Sequence, residues 1–113
     1  MFQSTPFGAA MTAATLTCLD VGCRGGFDAD LLPVAFATDA VGFEPDPEEF
    51  ARPDTAAHVE NGPWHSLCYV PAALAAEQGK RELFIPTDPQ SASLLQSDPS
   101  IGERFYKPQF FTV

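Results

Sequence analysis

Leu19-Asp20-Val21-Gly22-Cys23-Arg24-Gly25-Gly26, followed by Gly42-Phe43-Glu44-Pro45-Asp46-Pro47, decides the fold. The apolar, β-rich run 15–21 reads as a strand buried on both faces of a parallel sheet. Glycines 22, 25 and 26 break it in a tight turn. A short helical stretch and a second strand, 40–44, follow, and that strand ends in a carboxylate. This succession builds a nucleotide-cofactor pocket: glycines let the backbone approach a ligand, and the carboxylate accepts hydrogen bonds from a ribose diol. Glu44 lies about twenty residues beyond the turn, the reach that such a carboxylate needs.

Working outward, 27–37 carries Phe27, Leu31, Leu32, Val34, Ala35 and Phe36, with Asp28 and Asp30 at its start. Acids in a first turn favour a helix. Pro33 removes a hydrogen bond within it, so the helix is short, kinked or restarted there. Asp46-Pro47-Glu48-Glu49 is a second helix start: Asp46 caps, Pro47 takes the first helical position and Glu49 closes a capping box. Pro53 limits that helix to under two turns. Asn61-Gly62-Pro63 marks a turn. The aromatic stretch 64–74 suits a third strand, and 81–86 is a short strand that allows a hairpin with it. Residues 87–109 read as a long surface loop with one helical turn near 100–106, and 109–113 as a further strand. Residues 1–14 show no periodicity and read as a loose lead-in.

Composition narrows the function classes. A chain of 113 residues makes one small domain. Its 45% hydrophobic and 19% charged residues suit a packed core. A formal net charge of −9, with six Lys and Arg in all, argues against nucleic acid and anionic membranes as partners. No stretch nears the roughly 20 apolar residues of a membrane span, and the start lacks a secretory signal, so the cytoplasm is the expected compartment. The cysteines, Cys18, Cys23 and Cys68, form no C-x-x-C pair and suggest neither a disulfide framework nor a metal site. His58 and His65 have no partner at metal-ligand spacing. Ser91 and Ser93 lack a nucleophile's context.

Asp20-Val21-Gly22-Cys23-Arg24-Gly25-Gly26, Val41-Gly42-Phe43-Glu44-Pro45-Asp46-Pro47, Ala73-Leu74 before Gly79 and Ser91-Ala92-Ser93-Leu94 together resemble the FkbM-type S-adenosylmethionine-dependent methyltransferases. Glu103-Arg104-Phe105 adds support, and the similarity runs from about residue 16 onward. The resemblance implies an α/β, Rossmann-like class I methyltransferase fold with a mainly parallel sheet, represented by its N-terminal part over 15–113 and stopping before the later strands. It implies that Asp20, Gly22, Cys23 and Gly26 line the methionine side of S-adenosylmethionine, with Glu44 on the ribose hydroxyls. It also implies methyl transfer to an oxygen of a small-molecule acceptor, a sugar or polyketide-like compound. Arg24 departs from the pattern, standing where many methyltransferases have glycine. No catalytic residue is assigned, because the segments that carry them are expected to lie beyond this sequence.

Two other readings compete. A partial sheet exposes an edge that invites a second copy or another polypeptide, making the chain an oligomeric interaction module. The spacing to Glu44 also permits NAD, although Arg24-Gly25-Gly26 fits the dinucleotide G-x-G-x-x-G pattern poorly.

Overall fold

The computed structural model describes residues 2–52 and 61–113. They divide into two compact units, Met1–Leu74 and Ala75–Val113. Pro53 and His58 lie outside the described residues.

The first unit is α/β and is built on a three-stranded, fully parallel open sheet in the order β1-β2-β3. The strands are β1 (Leu16–Val21), β2 (Thr38–Phe43) and β3 (Ser66–Val70). The register aligns Asp20 with Gly42 and Gly42 with Tyr69, so these three stand in one row across the sheet. In-register residues of parallel strands project to the same face. Asp20 and Tyr69 therefore flank a position that carries no side chain.

The helical connections follow from their local chemistry. Residues 6–13 were expected to be unstructured but form α1 (Pro6–Ala13), because Thr5 accepts from the Gly8 N–H at 3.0 Å and Pro6 suits the first position. Ala29–Ala37 is a 3-10 helix throughout, capped by Asp28 through the Asp30 N–H. Pro33 explains the tighter coil: it cannot donate, and its ring would collide with the carbonyl four residues back in an α-helix. In α2 (Pro47–Phe50) Asp46 caps as expected, accepting from the Glu48 N–H at 3.0 Å. The capping box itself is replaced. The Asp46 N–H donates to Glu44 Oε1 at 2.8 Å, and the Glu49 carboxylate turns instead to arginines.

Among the described residues the buried hydrophobic side chains are small: Cys23, Ala35, Ala37 and Ala40. The expectation that β1 is buried on both faces is corrected, since Leu16, Leu19 and Val21 are 54%, 59% and 62% exposed. Among the described residues β1 is bonded only to β2, which leaves its outer edge open.

The second unit is mostly irregular. The hairpin of 64–74 with 81–86 does not form: β3 pairs in parallel with β2, while Phe84 and Ser93 make an antiparallel bridge. The helical turn near 100–106 is α3 (Pro99–Arg104), capped by Asp98. Its end is a Schellman motif. Lys107 N–H bonds Gly102 C=O at 2.8 Å and Tyr106 N–H bonds Glu103 C=O at 3.1 Å, with Tyr106 at φ 56° in the position glycine usually takes. The strand expected over 109–113 is absent. Pro108–Phe110 is a 3-10 turn, and Pro108 supplies no N–H to a ladder. The aromatic residues near this end divide: Phe111 packs on buried Gly102, whereas Phe105 and Tyr106 are exposed.

Candidate functional site

The carboxyl ends of parallel strands are where open α/β sheets bind ligands. Here those ends bring together the glycine turn after β1, Glu44 after β2 and Tyr69 near the end of β3. Gly22 and Cys23 both donate to the Phe43 carbonyl, at 2.9 and 3.1 Å, and Gly26 N–H closes the turn on the Cys23 carbonyl at 2.8 Å. The turn is thus bonded to the residue immediately before Glu44. Glycines 22, 25 and 26 have φ of 80°, 79° and 93°, a region costly for any residue with a Cβ. A Cβ added at Gly22 or Gly25 would meet no atom of the described residues within 4 Å. Conformation, rather than crowding by the described neighbours, selects glycine there.

Gly42 does the opposite. A Cβ there would lie 2.6 Å from Cys23 Sγ and 2.9 Å from the Tyr69 ring. Its bare backbone is the floor on which the Cys23 thiol and the tyrosine rest. Burial, followed by the charges of Asp20 and Glu44, pushes the Cys23 thiol up to about 11. The thiol is therefore protonated near neutrality and is no nucleophile.

Glu44 is 6% exposed. Its Oε1 accepts from Asp46 N–H, and its Oε2 has no partner among the described residues. The Glu44 N–H donates to the Val70 carbonyl at 3.0 Å, which ties it to the end of β3 as well. Tyr69 carries the one buried side-chain polar atom without a hydrogen bond among the described residues, its hydroxyl. That oxygen is 3.9 Å from where a Cβ of Gly26 would sit. Burial first, then Cys23 and Asp20, raise it to about 12. Phe27 packs beside its ring at 5.8 Å and beside Trp64 at 5.0 Å, fixing the chain that leaves the turn.

Arg24 reaches away from the turn to Glu49 at 3.0 Å and to Asp46 at 3.4 Å. Arg52 meets the same Glu49 oxygen at 3.3 Å. Both carboxylates are buried, and these cations neutralise them.

All five residues singled out from the sequence, Asp20, Gly22, Cys23, Gly26 and Glu44, lie at this end of the sheet. Tyr69, Gly42 and Arg24 carried no assigned role. A lone tyrosine in an aromatic strand and a glycine in a strand become informative only once the register aligns them. His65 lies at the other end of the strands, on Asp39, and Ser93 is in the second unit.

No family model matches the chain, and comparison with curated proteins and with solved structures likewise returned no match.

Proposed function

We propose that this chain is the S-adenosylmethionine-binding part of a small-molecule O-methyltransferase of the FkbM type, with a partial Rossmann-like fold. One observation carries the reading. A three-glycine turn and a buried carboxylate, one oxygen of which is uncommitted among the described residues, stand side by side at the carboxyl ends of adjacent parallel strands.

The residues present fit that cofactor. Open space over Gly22 and Gly25 admits its amino-acid end. Glu44 Oε2 accepts from a ribose hydroxyl, and its charge repels a 2′-phosphate. Asp20, in one row with Gly42 and Tyr69, would serve the α-ammonium. When bound, the cofactor supplies an electrophilic methyl group on a sulfonium. The protein's part is alignment, since such a transfer is an in-line displacement. The neutral Cys23 thiol does not compete for the methyl. The general base for the acceptor hydroxyl is not assigned to any residue described.

The test is a thermal-shift titration of the whole chain with S-adenosylmethionine, S-adenosylhomocysteine and NAD. A rise with the first two alone is expected. A rise with NAD only, or with none, removes the reading.

The open β1 edge favours a second reading, an interaction module, because Leu16, Leu19 and Val21 stand more than half exposed along it. No helix among the described residues is long and apolar enough to cross a membrane. An absence of ligand response together with a dimer by light scattering would favour the module.

A further inference from the structure

We propose that Arg24 is the positioning residue of this site: by bridging Glu49 and Asp46 it clamps the glycine turn onto the β2–α2 junction and holds turn and Glu44 at one spacing before any ligand arrives. The proposal rests on the functional reading above only for its effect on binding; the clamp itself stands on geometry.

Arg24 sits inside the turn, between Cys23 and Gly25, so its direction is set by the turn's backbone. Its guanidinium meets Glu49 Oε2 at 3.0 Å and Asp46 Oδ2 at 3.4 Å. The side chains of these acids are only 4% and 5% exposed, whereas Arg24 is 25% exposed. Arg24 shares Glu49 with Arg52 but is the cation that meets Asp46 among the described residues, and a buried carboxylate without its cation is strongly disfavoured, so turn and junction lock each other. Asp46 then hands the constraint on: its backbone N–H holds Glu44 Oε1 at 2.8 Å. An unbroken chain of polar contacts therefore runs from the turn through Arg24 and Asp46 to the carboxylate that faces the ligand. Arg24 meets Glu49 and Asp46 and acts on the site through them. Preorganisation of this kind strengthens binding by removing the cost of ordering the turn.

Cys23, next to Arg24 and 3% exposed, reports whether the turn is closed. Cys18 in β1 and exposed Cys68 in β3 serve as internal references. The experiment follows alkylation of each thiol in the native chain by site-resolved mass spectrometry, in wild type, Arg24→Ala and Arg24→Lys. Loss of a charge-assisted contact should speed Cys23 alkylation in Arg24→Ala by about tenfold or more, with Cys18 unchanged. Lysine, a single point charge, should restore protection in part. S-adenosylhomocysteine affinity, measured by calorimetry, should fall in the same order. Unchanged Cys23 alkylation overturns the proposal. A parallel rise at Cys18 and Cys23 also overturns it, because Arg24 would then support only global stability. Should Arg24→Ala fail to fold, Arg24→Lys with Glu49→Gln decides by the same ratio of thiol rates. A wild-type chain that binds no S-adenosylhomocysteine defeats the cofactor reading, while the thiol ratio still decides the clamp.

Discussion

The two ends of the parallel sheet use carboxylates in opposite ways. At the amino ends of the strands, Asp39 accepts from Thr15 Oγ1 at 2.7 Å, from His65 Nδ1 at 2.8 Å and from the Ser66 hydroxyl. Those partners come from the starts of β1 and β3, and Asp39 itself from the start of β2, so one side chain clasps all three strands together. At the carboxyl ends, among the described residues, Glu44 has one oxygen bonded and one uncommitted, and the Tyr69 hydroxyl is buried without a partner. The saturated end reads as structure. The unsaturated end retains donor and acceptor capacity among the described residues, and the proposed site rests on that contrast. A carboxylate at a strand terminus thus carries no functional meaning until its partners are counted.

The largest effect that would break this contrast is expected from Gly42→Val. The new side chain must displace the Cys23 thiol and the Tyr69 ring, and should destabilise the chain by about 2–3 kcal/mol in urea unfolding. A near-neutral result would mean that the floor of the site is soft. Next comes Glu44→Ala, which should weaken S-adenosylhomocysteine binding by about 1–3 kcal/mol, through loss of charge-assisted hydrogen bonds. Unchanged affinity in calorimetry would remove Glu44 from the site.

Asp39→Asn tests the other end. The Ser66, Thr15 and His65 hydrogen bonds hold the Asp39 carboxyl well below the usual carboxylate range. A group depressed in the folded state contributes its full stabilisation above its unfolded pKa of about 4. That contribution is lost as pH falls below this value toward the folded one. The melting temperature of the wild type should therefore decline on acidification, and Asp39→Asn should flatten that decline while leaving S-adenosylhomocysteine affinity intact. A change in affinity would show that the clasp is not separate from the site. The smallest effect is expected from Tyr69→Phe. Removing a buried hydroxyl that has no partner should be neutral, or stabilise the unliganded chain by up to about 1 kcal/mol. A clear loss of stability would mean that the hydroxyl is bonded in solution.

Much of the carboxyl end was legible locally. Glycines after an apolar run announce a turn with positive φ, and Asp46-Pro47 announces a cap, because these signals depend on residues a few positions apart. Gly22 to Gly26, Asp46 and the Asn61-Gly62-Pro63 turn, closed by Trp64 N–H on the Asn61 carbonyl at 2.9 Å, all follow that logic. Less legible were contacts made across strands. Tyr69 gains its meaning from register with Asp20 and Gly42, residues distant in the chain. The Asp39 clasp needs the starts of all three strands. The apolar character of Leu16, Leu19 and Val21 implied burial, but burial requires a neighbour, and the open edge of β1 has none among the described residues. Similarly, 81–86 has the short apolar run of a strand, yet Phe84 found Ser93 as its partner.

By itself, then, the amino-acid order determined where the backbone must bend, which residues cap its helices and that a carboxylate ends the second strand. These are properties of sterics and short-range hydrogen bonding. Tertiary structure alone decided which carboxylate is saturated and which is left open, and that Arg24 joins the turn to α2. Partner counting and ion pairing depend on distances through space, and local propensity does not encode those distances.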